Sequence, residues 1–77
     1  MSSRRSGYFP RLREILQHGR ISVREIVAAT ALTEKSVRRM INNSDPSRFS
    51  SVEKVGEFLR SRDIPIDIRH EFAEQEG

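Results

Sequence analysis

The stretch Ile21–Asn43, ISVREIVAATALTEKSVRRMINN, decides how this chain is read. Ser22 and Glu25 stand three apart as a capping box: the hydroxyl takes one unpaired N–H of a helix start, and the carboxylate takes the cap residue's own. Val23, Ile26, Val27 and Thr30 then recur at i, i+3, i+4 and i+7, one face of a helix about two turns long. Ala31-Leu32 interrupts the pattern, and Thr33 is a good N-cap for the next helix. In that helix Val37, Met40 and Ile41 make the apolar stripe. At about 100° per residue, Lys35, Arg38, Arg39 and Asn42 gather on the opposite side, with Glu34 and Ser36 on the flanks. Two short helices joined by an abrupt turn, the second apolar behind and cationic in front, have the layout of a helix-turn-helix over about residues 22–42.

Working outward, Tyr8, Leu12, Ile15 and Leu16 share a helical face, with Pro10 suited to a first turn and Gly19 to a C-terminal stop. Downstream, Asn43-Ser44-Asp45-Pro46-Ser47 is a dense run of turn formers. A second capping box, Ser50 with Glu53, opens a fourth helix whose inner face is Val52, Val55, Phe58 and Leu59. Ser61 to Pro65 is a break, and Ile66 to about Glu74 reads as a last helix with Ile68 and Phe72 at i, i+4. No segment alternates with period two for long enough to be a strand. The expected fold is all-α, a compact bundle of about five short helices over residues 8–77, preceded by a flexible basic arm over residues 1–7 that carries Arg4 and Arg5.

Composition narrows the function classes. At 77 residues the chain is one small domain with little interior. It has no cysteine, so disulfides, thiolate metal sites and cysteine nucleophiles are excluded. No apolar run approaches the ~18 residues of a membrane span, and no signal-peptide pattern follows Met1, which predicts a soluble, cytoplasmic protein. Net charge is +3, but from Met1 to Ser50 ten basic residues face four acidic ones, while from Ser51 to Gly77 four face seven. A front half at +6 and a back half at −3 point to a polyanion-facing front and a different task behind. Twelve of the fourteen cations are Arg, whose planar fork of donors fits phosphates and guanine edges. His18 and His70 fall on different helices, and no phosphate-loop glycine motif, paired buried carboxylate or calcium loop occurs. No enzyme activity, cofactor, metal or small-molecule effector is therefore predicted.

Across Ile21–Asn43 the chain also resembles the lambda repressor/Cro-like (XRE) DNA-binding domains. Ile21, Ser22, Glu25, Ile26, Leu32, Thr33, Ser36, Val37, Arg39, Met40, Ile41 and Asn42 fall on the family's pattern. Phe9 to Gly19 is similar to its first helix, and Pro46, Ser47, Ser50, Val52, Lys54, Val55 and Leu59 to its fourth, so the resemblance covers about residues 8–72. Two positions differ. Val27 stands where the family has a small residue, and Ala31 where its turn usually has Gly. A left-handed backbone at Ala31 would cost on the order of 1 kcal/mol.

The resemblance implies roles position by position. Glu34, Lys35 and Arg39 correspond to readers of base edges in the major groove, with Arg38 beside them; Arg38 equally suits a phosphate or open solvent, and Glu34 equally suits an acidic first-turn residue favoured by the helix dipole. Phosphates are expected at Ser22 with the backbone of Val23 and Arg24, and at Thr33, Ser36, Asn42, Asn43, Ser47 and Arg48, several of which also suit capping. Arg4 and Arg5 are candidate arm contacts. Ile64, Ile66, Ile68 and Phe72 exceed what a four-helix core needs; they either close that core or form a homodimer seam, where members of this family commonly pair. The predicted function is sequence-specific recognition of double-stranded DNA by a homodimer on a two-fold operator, as a bacterial or phage repressor without an effector domain. A protein-interaction module on the same fold, as in an antitoxin or co-regulator, is the alternative.

Overall fold

The structure, a computed structural model, describes residues 6–75. Its elements in chain order are β1 (Ser6–Tyr8), α1 (Leu12–Gly19), α2 (Val23–Thr30), α3 (Glu34–Asn42), β2 (Ser47–Arg48), α4 (Phe49–Ser61), α5 (Ile68–Glu71) and β3 (Ala73–Glu74). The domain is mostly helical, but not purely so. β1 is the middle strand of a three-stranded antiparallel sheet, with Ser6 opposite Arg48 and Gly7 opposite Ser47 on one side, and Gly7 opposite Glu74 and Tyr8 opposite Ala73 on the other.

The expectation of an all-α chain is corrected by this sheet. Strands of two or three residues carry no period to detect, because alternation needs several residues to show. Ser6 and Gly7 were expected in the arm and Tyr8 in the first helix; all three form β1 instead. Pro10 accounts for the helix boundary, since the residue before a proline is held out of the α region, so Phe9 cannot extend α1 backward. Arg4 and Arg5 lie outside the described residues.

α2 and α3 begin where their caps predict. Ser22 Oγ accepts from Glu25 N–H, and the Glu25 carboxylate accepts from Ser22 N–H at 2.8 Å, closing the capping box. Thr33 Oγ1 accepts from Ser36 N–H at 3.1 Å. The second capping box does not form. α4 starts at Phe49, one residue before Ser50, and its cap position is Arg48, without a side-chain bond. Pairing of Ser47 and Arg48 with β1 carries the extended chain up to Phe49, whose ring meets Phe72 edge to face at 5.0 Å.

The last helix is also shorter than expected. Asp67 caps it and Phe72 is already extended, because the next two residues give their backbone bonds to β1. Phe72 is only 8% exposed and joins Phe9, Leu12, Ile26, Val37, Met40, Val52, Val55 and Leu59 in the core. It therefore closes the interior, the first of the two alternatives open for it. Ile64, Ile66 and Ile68 are partly buried against the same core. Ile68 lies directly over Gly56, where a Cβ would land on its side chain, so α5 docks on α4 because position 56 is bare.

The turns between the first helices are left-handed without glycine. Arg20, Ala31 and Asn43 cap α1, α2 and α3 at φ 53°, 61° and 53°. Gly19, expected as the stop, is the last helical residue, and Arg20 takes the reversal.

Candidate nucleic-acid interface

The front of α3 is built from its back. Val37 is fully buried, Met40 nearly so, and Ile41 partly, which fixes the helix against the core. Glu34, Lys35, Ser36, Arg38, Arg39 and Asn42 are consequently all exposed on the other side. The helix is continuous from Glu34 to Asn42, so the cationic row is held on a rigid support.

That row is not a bare patch of positive charge. Glu34 Oε1 accepts from Arg38 Nε at 2.9 Å and lies 2.8 Å from Nη2, with the two side chains 56% and 63% exposed. Arg39 Nε lies 3.8 Å from Asp45 Oδ2, a looser pairing. Among the described residues Lys35 has no carboxylate partner. Three cations and two carboxylates leave the face with one net positive charge, which Arg13 and Arg48 at its borders raise.

The expected phosphate-contact residues separate into three groups. Ser36, Ser47 and Arg48 line one groove together with Arg39, Met40, Asp45, Pro46 and Ser51, so the β2 side of α3 brings four of the sequence-predicted positions to one place. The others already have structural duties. Thr33 caps α3, and its hydroxyl donates to Ser36 Oγ at 2.9 Å. Asn42 Oδ1 accepts from Arg13 Nη2 at 2.7 Å, and Asn43 Oδ1 accepts from Phe9 N–H at 3.2 Å. Asn43 thus holds the end of β1 to the end of α3 while itself adopting the left-handed cap.

Ser22, Val23 and Arg24 sit apart, at the start of α2. Arg24 is exposed and Val23 partly buried. The carboxylate of Glu25 already occupies this end, held on Ser22 N–H and ion-paired with Arg62 at the end of α4. The Ser22 backbone bond, and then the Arg62 charge, hold its pKa below the usual 4.5, with burial opposing them. That carboxylate takes the Ser22 N–H, one of the donors an anion would use at this helix end.

Two residues of the site escaped the sequence reading. Arg13 reaches Asn42 from α1 across a separation of 29 residues, for which no local pattern exists. Asp45 looked like one more turn former, and its pairing with Arg39 depends on how the chain reverses after α3. Among the described residues, no group of three or more His, Cys, Asp or Glu side chains is arranged to hold a metal ion. Among them, too, no helix is long and apolar enough to cross a membrane. No family model, no curated protein and no solved structure matches the chain.

Proposed function

We propose that this chain is a lambda repressor/Cro-like helix-turn-helix domain that binds duplex DNA through the major groove and acts as a bacterial or phage transcriptional repressor. The observation that carries this reading is the outward cationic row of α3, with Lys35, Arg38 and Arg39 exposed while Val37 and Met40 are locked in the core behind them. A groove-entering helix needs both: side chains free to meet base edges and a back that cannot shift. Arg48 and Ser47 on β2 border the same face and suit phosphates, which position the domain without specifying sequence. Pairing of two copies, with Ile64 and Ile66 in the seam, would set two recognition helices ~34 Å apart on one side of the duplex.

Selection of bound sites from random duplex tests the reading. It is expected to yield a palindrome, with log K falling by about 0.9 per neutralised phosphate as log salt rises. Arg39→Ala is expected to cost about 1–3 kcal/mol on the selected site and to relax preference at one base position. Recovery of no enriched site, with affinity unchanged in Lys35→Ala and Arg39→Ala, would sink the proposal. Salt-tolerant binding to a protein, sensitive to Ile68, would replace it with the interaction-module reading.

A further inference from the structure

We propose that Glu34 sets the sequence selectivity of α3 by positioning the guanidinium group of Arg38, while Asp45 lowers its affinity for duplex of every sequence by opposing phosphate. The inference rests on the duplex-binding reading above and deepens it.

Glu34 holds Arg38 by one edge only. Both contacts to Oε1 come from Nε and Nη2, the side edge of the guanidinium. The terminal edge, Nη1 with the second hydrogen of Nη2, is left clear of that carboxylate, and it is the edge that can address guanine O6 and N7 together. A long Arg side chain loses much rotamer freedom when it binds, and a carboxylate one helical turn away removes part of that freedom beforehand. Glu34 is thus a positioning residue for Arg38, acting through it instead of touching a base.

Asp45 contributes by charge. It stands 3.8 Å from Arg39 Nε in the groove that also holds Arg48, where a backbone phosphate would lie. Phosphate is the same in every sequence, so the repulsion weakens binding to all duplexes alike. A matched guanine offers Arg39 and Arg38 bidentate bonds worth roughly tenfold or more each, which mismatched duplex lacks. Asp45 therefore lowers the affinity for every duplex by one factor, which cancels in the ratio, and the selectivity rests with Glu34.

The test compares wild type with Glu34→Gln, Asp45→Asn and Glu34→Asp, each first checked for cooperative unfolding. Binding to the selected duplex and to a scrambled duplex is titrated over a range of salt. Neutralising either carboxylate is expected to raise affinity for scrambled duplex about three- to fivefold at ~0.15 M salt and to steepen the salt slope by up to about 0.9, the equivalent of one more phosphate. For Glu34→Gln the ratio of selected to scrambled affinity is expected to fall at least about fivefold. Glu34→Asp keeps the charge but shortens the reach to Arg38, so scrambled affinity is expected to stay while selected affinity falls. If wild type discriminates and Glu34→Gln and Glu34→Asp both keep its ratio within about twofold, or Asp45→Asn binds scrambled duplex no more tightly than wild type, the inference is overturned while the duplex-binding reading stands. If wild type itself does not discriminate, both are overturned.

Discussion

Ala31→Gly is expected to make this protein more stable. Ala31 is the left-handed C-cap of α2 at φ 61°, ψ 16°, exposed, with its N–H donating to Val27 O at 3.0 Å. The cap bond closes the helix end, but the Cβ of an L-residue crowds the following carbonyl in this conformation, at about 1–2 kcal/mol. Glycine removes the crowding and keeps the backbone bond. Against that, glycine gives the unfolded chain more freedom, about 0.5–1 kcal/mol in the opposite sense. The expected balance is a gain of roughly 1 kcal/mol, a rise in Tm of about 4–8 °C for a domain of this size. Ala28→Gly is the control, one turn earlier on the exposed side of α2, where a helical backbone offers no relief and about 1 kcal/mol should be lost. Urea unfolding followed by circular dichroism, with unchanged m-values, reads both. If Ala31→Gly destabilises as Ala28→Gly does, residue 31 is not left-handed and the turn between α2 and α3 is of another kind. The same substitution is a test of geometry for the proposed interface, because that turn aims α3.

Gly7→Ala should cost several kcal/mol or abolish folding. A Cβ there would lie 2.8 Å from both Glu74 Cα and Phe72 Cζ and nearer still to the Ala73 carbonyl, all in or beside β3; a melt no lower than that of wild type would mean that β1 does not run against β3. Gly56→Ala should lose about 1–3 kcal/mol by forcing Ile68 off α4, and much of this should vanish in a background where Ile68 is already Ala; simple additivity in that double-mutant cycle would refute the contact. Glu25 has a depressed folded pKa, so its contribution is complete above its unfolded pKa and fades as pH falls through the lower folded one. The Tm gap between wild type and Glu25→Gln should accordingly be open near neutral pH and narrow as the pH falls below the unfolded pKa of Glu25, and a gap unchanged in acid would contradict the charged bond to Ser22 N–H and the ion pair with Arg62.

Local chemistry was enough to define the centre of this molecule. Ser22 with Glu25 and Thr33 with Ser36 are contacts within one turn, and the apolar stripe Val37, Met40 and Ile41 repeats at helical spacing, so α2, α3 and the outward cations are legible in a few consecutive residues. Even the demand for a reversal at Ala31 is a local matter of one φ angle. What could not be read is whatever joins distant parts of the chain. The strands are two or three residues long, and β3 can lie against β1 only because Gly7 leaves room for Ala73 and Glu74. Once Ala73 and Glu74 pair with β1, Phe72 is drawn inward and the last helix ends after one turn, which decides that its ring closes the core. The Arg13–Asn42 and Arg39–Asp45 contacts depend likewise on where the fold brings the chain back to α3. Helical periodicity and capping are interactions over three or four residues and are written in order along the sequence. Sheet pairing and the partners of long cations are interactions across the chain, decided only when the core closes.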